Sequence, residues 1–431
     1  MGAELRWPAS PGAIAQIQRE RKRRAVEQAL RAPFFRERLA GVRPDRLDDP
    51  DEWAKIPLLT KDQLRAIPAA RFHEEFCVAP RADVVEYWRS GGVTGRPLFY
   101  PRSARDMDTS IMCFRRAFEV IGATPDDLVH VSFPLGIHPV AHLYARAAED
   151  LGVGTIWCGS GSNTPSLTQL ELIRDLKPTI WAGMGSYGLH LANLAEANGF
   201  DLAASSVKKI IVAAEPLSPA KRQKLERSWG AVVSDQFGMT EGALVSVQSL
   251  GHDGLHVWSD LFFCEVVDEA TGAPVADGEV GSLVITALAN NEVTPFLRWS
   301  SGDLISITTQ GHGEGPWSMF PVMRHARRTV GFFKVRGVNI NHNELEDLMF
   351  YNQGIADFKA EVYCADSGLD CLRLLVEPRR GLDREGVGRS IDASVQMTFE
   401  VAPEIVFLEA GTLGREFEAS IKAARFVDKR G

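Results

Sequence analysis

Leu128-Val129-His130-Val131-Ser132-Phe133, followed by Thr155-Ile156-Trp157, Thr179-Ile180-Trp181-Ala182 and Lys209-Ile210-Ile211-Val212-Ala213, decides the fold class of this chain. Each run is short, apolar or β-branched, which is the signature of a buried strand. Helix-patterned stretches at 139–151, 166–176, 187–198 and 219–229 lie between and after them. Alternation of this kind builds βαβ units, so 110–235 reads as α/β with a largely parallel sheet.

Toward the N-terminus, 13–40 reads as one helix and 52–70 as a helix-and-turn segment with prolines at 57 and 68. Toward the C-terminus the texture becomes β-rich, with runs at 261–267, 281–287 and 304–308 separated by turns such as Thr271-Gly272 and Asp277-Gly278. The segment 311–326, containing Gly311-His312-Gly313-Glu314-Gly315-Pro316, reads as a loop. The tail carries its own strands (332–335, 361–364, 372–376) and helices (344–351, 384–396). The expected architecture is therefore α/β: a large domain over 1–327 with parallel α/β sheets and a β-rich subdomain, then a small α/β domain over 328–431.

With 431 residues the chain has room for two or three domains and a well-buried core. A formal charge of −8 argues against nucleic acid or an anionic membrane as partner. The basic run Arg19-Glu20-Arg21-Lys22-Arg23-Arg24 sits in an amphipathic pattern with Ile14, Ile17, Val26 and Leu30, so it reads as a solvated helix face. No segment approaches the ~20 apolar residues of a spanning helix, and the N-terminus lacks a signal-like apolar stretch. The six cysteines are scattered with no CxxC pair and read as reduced core residues. The expectation is a soluble, cytoplasmic protein without structural zinc.

Four segments carry candidate chemistry. Arg89-Ser90-Gly91-Gly92-Val93-Thr94-Gly95-Arg96-Pro97 is a glycine-rich loop with hydroxyls and a cation. Glycines let backbone N–H groups converge on an anion, although this is not the GxxxxGK[ST] loop. Asp235-Gln236-Phe237-Gly238-Met239-Thr240-Glu241 follows a strand and offers an aromatic for a purine, with a hydroxyl and a carboxylate for phosphate and Mg²⁺. Ala213-Ala214-Glu215-Pro216 ends another strand, where open parallel sheets bind ligands. Arg298-Trp299-Ser300-Ser301-Gly302-Asp303 places a carboxylate suited to ribose hydroxyls. A rival class rests on Gly183-Met184-Gly185-Ser186-Tyr187-Gly188, a GxGxxG with Asp201 following 18 positions after Gly183. That spacing would suit a dinucleotide-binding oxidoreductase, but glycines at strand-to-helix junctions also serve packing. Neither 159–162 nor 185–188 completes a GxSxG hydrolase elbow.

Taken in order along the chain, these segments resemble the acyl-adenylate-forming ligases, most closely the phenylacetate–CoA ligase branch. The family's phosphate loop [ST]SGTTGKP matches at Ser90, Gly92, Thr94, Gly95 and Pro97, with Arg96 for lysine. Its Glu-Pro step is Glu215-Pro216, and its YGxTE is Phe237-Gly238-Met239-Thr240-Glu241. Its RYRTGDL is Arg298-Trp299-Ser300-Ser301-Gly302-Asp303-Leu304, and its KIRGVNV is Lys334-Val335-Arg336-Gly337-Val338-Asn339-Ile340. Gly254-Leu255-His256-Val257-Trp258 resembles the branch's GLHxW. The tail Lys422-Ala423-Ala424-Arg425-Phe426-Val427-Asp428-Lys429-Arg430 looks like its GKAxRVxDxR ending.

The resemblance implies ATP, Mg²⁺ and coenzyme A, an adenylation domain at 1–327, and a small mobile domain at 328–431 with the nucleotide between them. Residues 90–97 would hold the triphosphate, with Thr240 and Glu241 on phosphate and Mg²⁺. Glu215, Pro216, Gln236 and Phe237 would frame the adenine, Asp303 and Arg328 the ribose and its 5′ oxygen. Lys422 would bridge the substrate carboxylate and the α-phosphate, and Lys334 would approach during thiol transfer. Family topology would line the acid pocket with Phe133, His138, Met184, Tyr187, Ala213, Ala214, Gly238 and Met239. The implied activity is conversion of a small aromatic or hydroxy-substituted carboxylic acid to its acyl-adenylate and then to its CoA thioester. A carrier-protein phosphopantetheine as acceptor, and a homodimer, stay open. Three departures from the family stand out: Val330 replaces a polar hinge residue, Phe417-Glu418 replaces Pro-Arg before Lys422, and the cysteines that hold zinc in some relatives have no counterpart in 311–326 or at Ser249-Leu250-Gly251.

Overall fold

The structure, a computed structural model, describes residues 7–90, 96–311, 313–328, 331–365, 368–420 and 423–430, with backbone only at 327 and 328. By contacts the chain divides into two compact units. One comprises Met1–Asp126, Leu135–Gly154 and Ser234–Thr329; the other comprises Asp127–Pro134, Thr155–Val233 and Val330–Gly431.

The first unit opens with the helix Pro11–Ala29, capped by the Ser10 hydroxyl accepting from the Ala13 N–H, with proline in its first turn. The single helix expected over 13–40 is instead two, because Pro33 opens a second helix, Pro33–Arg38. Ala32 before it is extended (φ −82°, ψ 133°), as a residue preceding proline prefers. The strands Phe262–Val267, Val280–Ala287, Trp299–Thr308, Val322–Arg328, Leu255–Val257, Ala243–Val247 and Val232–Met239 follow one another in that order across the sheet. Their pairings within the unit are antiparallel. The strand Val322–Arg328 corrects the loop expected over 311–326. Val322 and Met323 are fully buried while Arg324 reaches Asp253 at 2.8 Å, so a basic, proline-flanked sequence conceals a paired strand. A hairpin of Val84–Arg89 with Phe99–Ser103 brackets the glycine loop. Beneath it Phe35, Phe72, Phe76, Tyr100, Phe296 and Trp299 join one buried cluster, each contributing on the order of 1.5–3 kcal/mol by burial.

In the second unit Leu128–Val131, Ile180–Gly183 and Lys209–Val212 run parallel, Val129 facing Ile180 and Ile180 facing Lys209, with Gly154–Trp157 at the edge. The expected helices appear as Ser166–Leu176, Gly185–Ala197 and Pro219–Trp229. The tail forms its own four-stranded sheet in the order Glu404–Phe407, Asp370–Pro378, Ile355–Cys364, Phe426–Asp428. A two-stranded ribbon, Phe332–Val335 with Val338–Asn341, turns through Arg336 and Gly337, both at positive φ. Helix Pro219–Trp229 meets the tail where the Ala220 N–H donates to Asp347 at 3.0 Å.

Candidate functional site

In the first unit, strand Val232–Met239 turns through Thr240-Glu241-Gly242 and returns as Ala243–Val247, with Met239 paired to Ala243. A Cβ on Gly238 would lie 2.5 Å from the Ala243 carbonyl oxygen, so only glycine lets the returning strand come this close. The turn leaves Glu241 7% exposed. Tyr100 donates its hydroxyl proton to Glu241 Oε1 at 3.0 Å. Arg102 Nη2 donates to the carbonyl oxygens of Thr240 (2.7 Å) and Glu241 (2.9 Å), which fixes the turn. Tyr100 and Arg102 stand two apart on the strand Phe99–Ser103 and so share a face.

Burial pushes the Glu241 carboxyl above its ordinary range, only partly offset by Lys61 and by hydrogen bonds. Burial likewise raises the Tyr100 phenol, so its hydroxyl stays protonated and donating. A buried carboxylate with a neutral donor on one oxygen suits a divalent cation that takes its remaining ligands from phosphate and water. Among the described residues no group of three or more His, Cys, Asp or Glu side chains assembles around a metal position.

Other expected residues of this unit fall as follows. Ser90 closes the base of the glycine loop, its N–H donating to the Leu98 oxygen (2.8 Å) and its hydroxyl accepting from the Leu98 N–H (3.1 Å). Gly92, Thr94 and Gly95 lie outside the described residues. Arg96, beside exposed Pro97, donates to the carbonyls of Arg65 and Ile67 at 3.1 and 2.8 Å. Gln236 is buried and accepts from the Tyr144 hydroxyl at 2.6 Å, whereas half-buried Phe237 meets the His325 ring at 4.9 Å and 66°. Gly238 is exposed and Met239 half-buried. Asp303 is buried in strand Trp299–Thr308, its N–H donating to Ser301 Oγ, with Arg328 opposite it in register. His138 is half-buried, and burial, then Arg89, lowers its pKa.

In the second unit the carboxyl ends of the parallel strands present Phe133, Met184, Ala213 and Ala214, the first three buried and Ala214 at φ 69°. Glu215 accepts from the Ser186 N–H at 2.6 Å and from its hydroxyl at 2.7 Å, with Lys221 Nζ at 3.3 Å. It therefore caps the helix Gly185–Ala197, while Pro216 beside it is exposed. This geometry removes the dinucleotide alternative, because a carboxylate sits on the helix N-terminus that a pyrophosphate would need. The glycines have packing reasons: Cβ atoms at Gly183 and Gly188 would meet the Trp181 ring at 2.5 and 3.1 Å. Asp201 caps its own turn at Ala203 and Ala204.

Lys221 bridges Glu215 to Glu346 (3.0 Å), and Arg425 bridges Glu346 (3.3 Å) to Asp357 (2.6 Å). Tyr187 is fully buried, its hydroxyl 2.9 Å from Ser166 Oγ. Lys334 is exposed, its carbonyl accepting from Arg430. Lys422 lies outside the described residues, as does Val330, where the hinge was expected. The sequence reading missed Tyr100, Arg102, Lys221, Glu346 and Asp357. The alternation Tyr100-Pro101-Arg102 directly after the glycine loop was the one signal that could have found the first two.

The AMP-binding enzyme family matches residues 90–289. The chain is 29% identical over 438 residues to a phenylacetate–coenzyme A ligase of Pseudomonas putida, covering 98% of this chain and 95% of that one. A phenylacetate–coenzyme A ligase of Escherichia coli (strain K12) is 30% identical over 346 residues, 79% of this chain and 76% of that one. In fold it is similar to 2-hydroxyisobutyryl-CoA ligase, solved in the postadenylation state with R3-HIB-AMP (TM-score 0.83, 24% identity, 97% of this chain and 89% of that one).

Proposed function

We propose how this chain, which belongs to the AMP-binding enzyme family, divides its chemistry among its residues. It is an acid–thiol ligase: ATP activates a carboxylic acid as an acyl-adenylate, and coenzyme A takes the acyl group as a thioester. A carboxylate is a poor acyl donor because its leaving group would be oxide. In the first step a carboxylate oxygen attacks the α-phosphorus of ATP and pyrophosphate leaves. In the second the CoA sulfur attacks the adenylate carbonyl carbon, AMP leaves, and the thiol proton passes to solvent.

The protein's part is to position reactants and to offset charge. Glu241, with its turn fixed by Arg102 and one oxygen held by Tyr100, would hold Mg²⁺, which supplies Lewis-acid polarisation of the phosphates when bound. Thr240, Ser90, Gly92, Thr94, Gly95 and Arg96 take the phosphates. Phe237, Gln236 and the backbone at Glu215 and Pro216 frame the adenine, the Glu215 carboxylate being held by Ser186 and Lys221; Asp303 and Arg328 take the ribose and its 5′ oxygen. Lys422 acts in adenylation and Lys334 in thiol transfer. The small domain at 328–431 reorients between the two steps.

The acid is small and aromatic or hydroxy-substituted. Phe133, Met184, Tyr187, Ala213, Ala214 and Met239 supply apolar or small lining and Gly238 room, while His138 is the polar contact for a hydroxyl. The names of the relatives above support an arylacetic or hydroxy acid. The observation that carries this assignment is the buried, cation-ready Glu241 corner. Its test is a panel of phenylacetic, benzoic, hydroxybenzoic and short hydroxy acids with ATP and Mg²⁺, with CoA and a phosphopantetheinyl carrier protein compared as acceptors. The expected outcome is AMP, pyrophosphate and a CoA thioester for one class of these acids. Loading of the carrier with no CoA thioester would assign the acceptor to the carrier instead.

A further inference from the structure

The Phe417-Glu418 pair, which departs from the Pro-Arg that the family resemblance implies, is built into a specific contact. The short helix Arg415–Ala419 lies against the parallel-sheet helices of its own unit. Phe417 is 4% exposed, its ring stacked on His190 (5.1 Å, 21°) and 5.8 Å from Tyr187. Glu418 Oε2 accepts from the Ser166 N–H at 3.3 Å, and Oε1 lies 3.5 Å from His190 Nε2. Ser166 opens the helix Ser166–Leu176, whose N-cap, Pro165, has no side-chain oxygen to offer, so Glu418 supplies the missing acceptor. Burial would push the Glu418 carboxyl up, but His190 and Ser166 bring it below the usual range. Glu416 adds a contact to Lys359 at 2.5 Å. Two glycines make room for the docking. A Cβ on Gly161 would lie 2.7 Å from the Phe417 carbonyl oxygen, and one on Gly414 would lie 2.5 Å from the His190 ring.

We propose that Phe417 and Glu418 are positioning residues for adenylate formation, clamping the start of the tail that carries Lys422 four residues further on. This rests on the role given to Lys422 above. A lysine at the end of a free tether spends most of its time away from the reacting phosphate, and an error of about 1 Å can cost about 100-fold in rate. Anchoring the chain just upstream removes most of that freedom. The second half-reaction does not use Lys422, so it gains nothing from the clamp. Phe417 and Glu418 touch neither acid nor nucleotide in this scheme; they act through the tail.

Gly161→Ala tests this without altering the tail. Gly161 lies outside the left-handed region, so alanine fits its backbone while its Cβ presses on Phe417. Acid-dependent pyrophosphate–ATP exchange should fall about tenfold in kcat, with the KM for ATP within about twofold of wild type. A supplied acyl-adenylate should still become the CoA thioester at the wild-type rate. Phe417→Ala and Glu418→Ala should show the same split, and Phe417→Tyr, which keeps the ring stack, should restore exchange. The thermal midpoint of each variant separates undocking from unfolding. Unchanged exchange in both Gly161→Ala and Phe417→Ala, or equal loss in the two half-reactions of folded variants, would overturn the clamp. Absence of exchange in the wild-type protein would overturn the adenylation reading, and the clamp with it.

Discussion

Two buried carboxylate sites in this molecule use the same ingredients to opposite ends. At Glu241 the nearby guanidinium of Arg102 donates to the backbone carbonyls of the turn, and the side chain takes its hydrogen bond from the neutral Tyr100. The carboxyl is consequently held above its ordinary range, chiefly by burial. In the chain Lys221–Glu346–Arg425–Asp357 each carboxylate touches a cation directly. Burial alone would raise Asp357, but Arg425 brings it below the usual carboxylate range. A carboxylate whose hydrogen bond comes from a neutral hydroxyl is suited to a cation that arrives with substrate. A carboxylate already paired is part of the scaffold. The difference separates the proposed cation-binding corner from the ion-pair network more clearly than burial does, since both are buried.

Breaking the ion-pair network should cost the most. Arg425→Ala leaves Asp357 and Glu346 buried beside one fewer cation and should cost about 3–5 kcal/mol of stability, read by denaturant unfolding. A loss below about 1 kcal/mol would mean that the network is not structural. Asp357 also predicts the pH window. Its folded pKa is depressed, so its stabilisation is present above pH 3.8 and is lost as pH falls through the folded value.

Glu241→Gln should do the reverse, lowering adenylate formation by about 10²–10³-fold without loss of stability at neutral pH. The sign follows from the raised pKa: the stabilisation linked to Glu241 is present below pH 4.5 and is lost as pH rises through the folded value. Ionisation of the buried carboxyl therefore opposes folding, and Gln cannot ionise. A destabilised variant with unimpaired adenylation would erase the contrast between the two sites.

Asp303→Ala should weaken ATP binding by about 1.5–3 kcal/mol for each charge-assisted ribose bond removed, read as the KM for ATP in the exchange reaction. An unchanged KM would exclude Asp303 from the nucleotide site. A pH-dependent contrast comes from Lys224, whose ammonium donates to the carbonyls of Ile355 (2.8 Å) and Ala356 (2.6 Å), and whose pKa burial lowers to about 7. The folded state then binds fewer protons than the unfolded one between about pH 7 and 10.5, so stability should rise with pH there. The slope should reach at most about 1.4 kcal/mol per pH unit, and Lys224→Met should abolish it.

The parallel-sheet strands and their helices were legible because periodicity and β-branching are local properties, and Ser166–Leu176 and Pro219–Trp229 fall where the pattern put them. Strand Val322–Arg328 was not, since its pairing partners, not its own basic composition, make it a strand. The glycine loop and the Thr240-Glu241 turn could be named from their motifs. What could not be read was which side chains complete them: Tyr100 meets Glu241 across 141 positions. Glu215 shows the limit of a motif reading. Its carboxylate is committed to a helix N-terminus 29 positions upstream and to Lys221, contacts that no local pattern signals. Phe417-Glu418 appeared in the sequence only as a departure, and its meaning came from His190 and Ser166.

The acyl-adenylate should form before any thiol is needed, and pyrophosphate–ATP exchange without CoA measures that step alone. With a suitable acid and Mg²⁺, the protein should exchange labelled pyrophosphate into ATP, and Lys422→Ala should lower that rate by about 10²–10³-fold. Exchange that appears only when CoA is added, or that is absent with every acid of the panel, would contradict it.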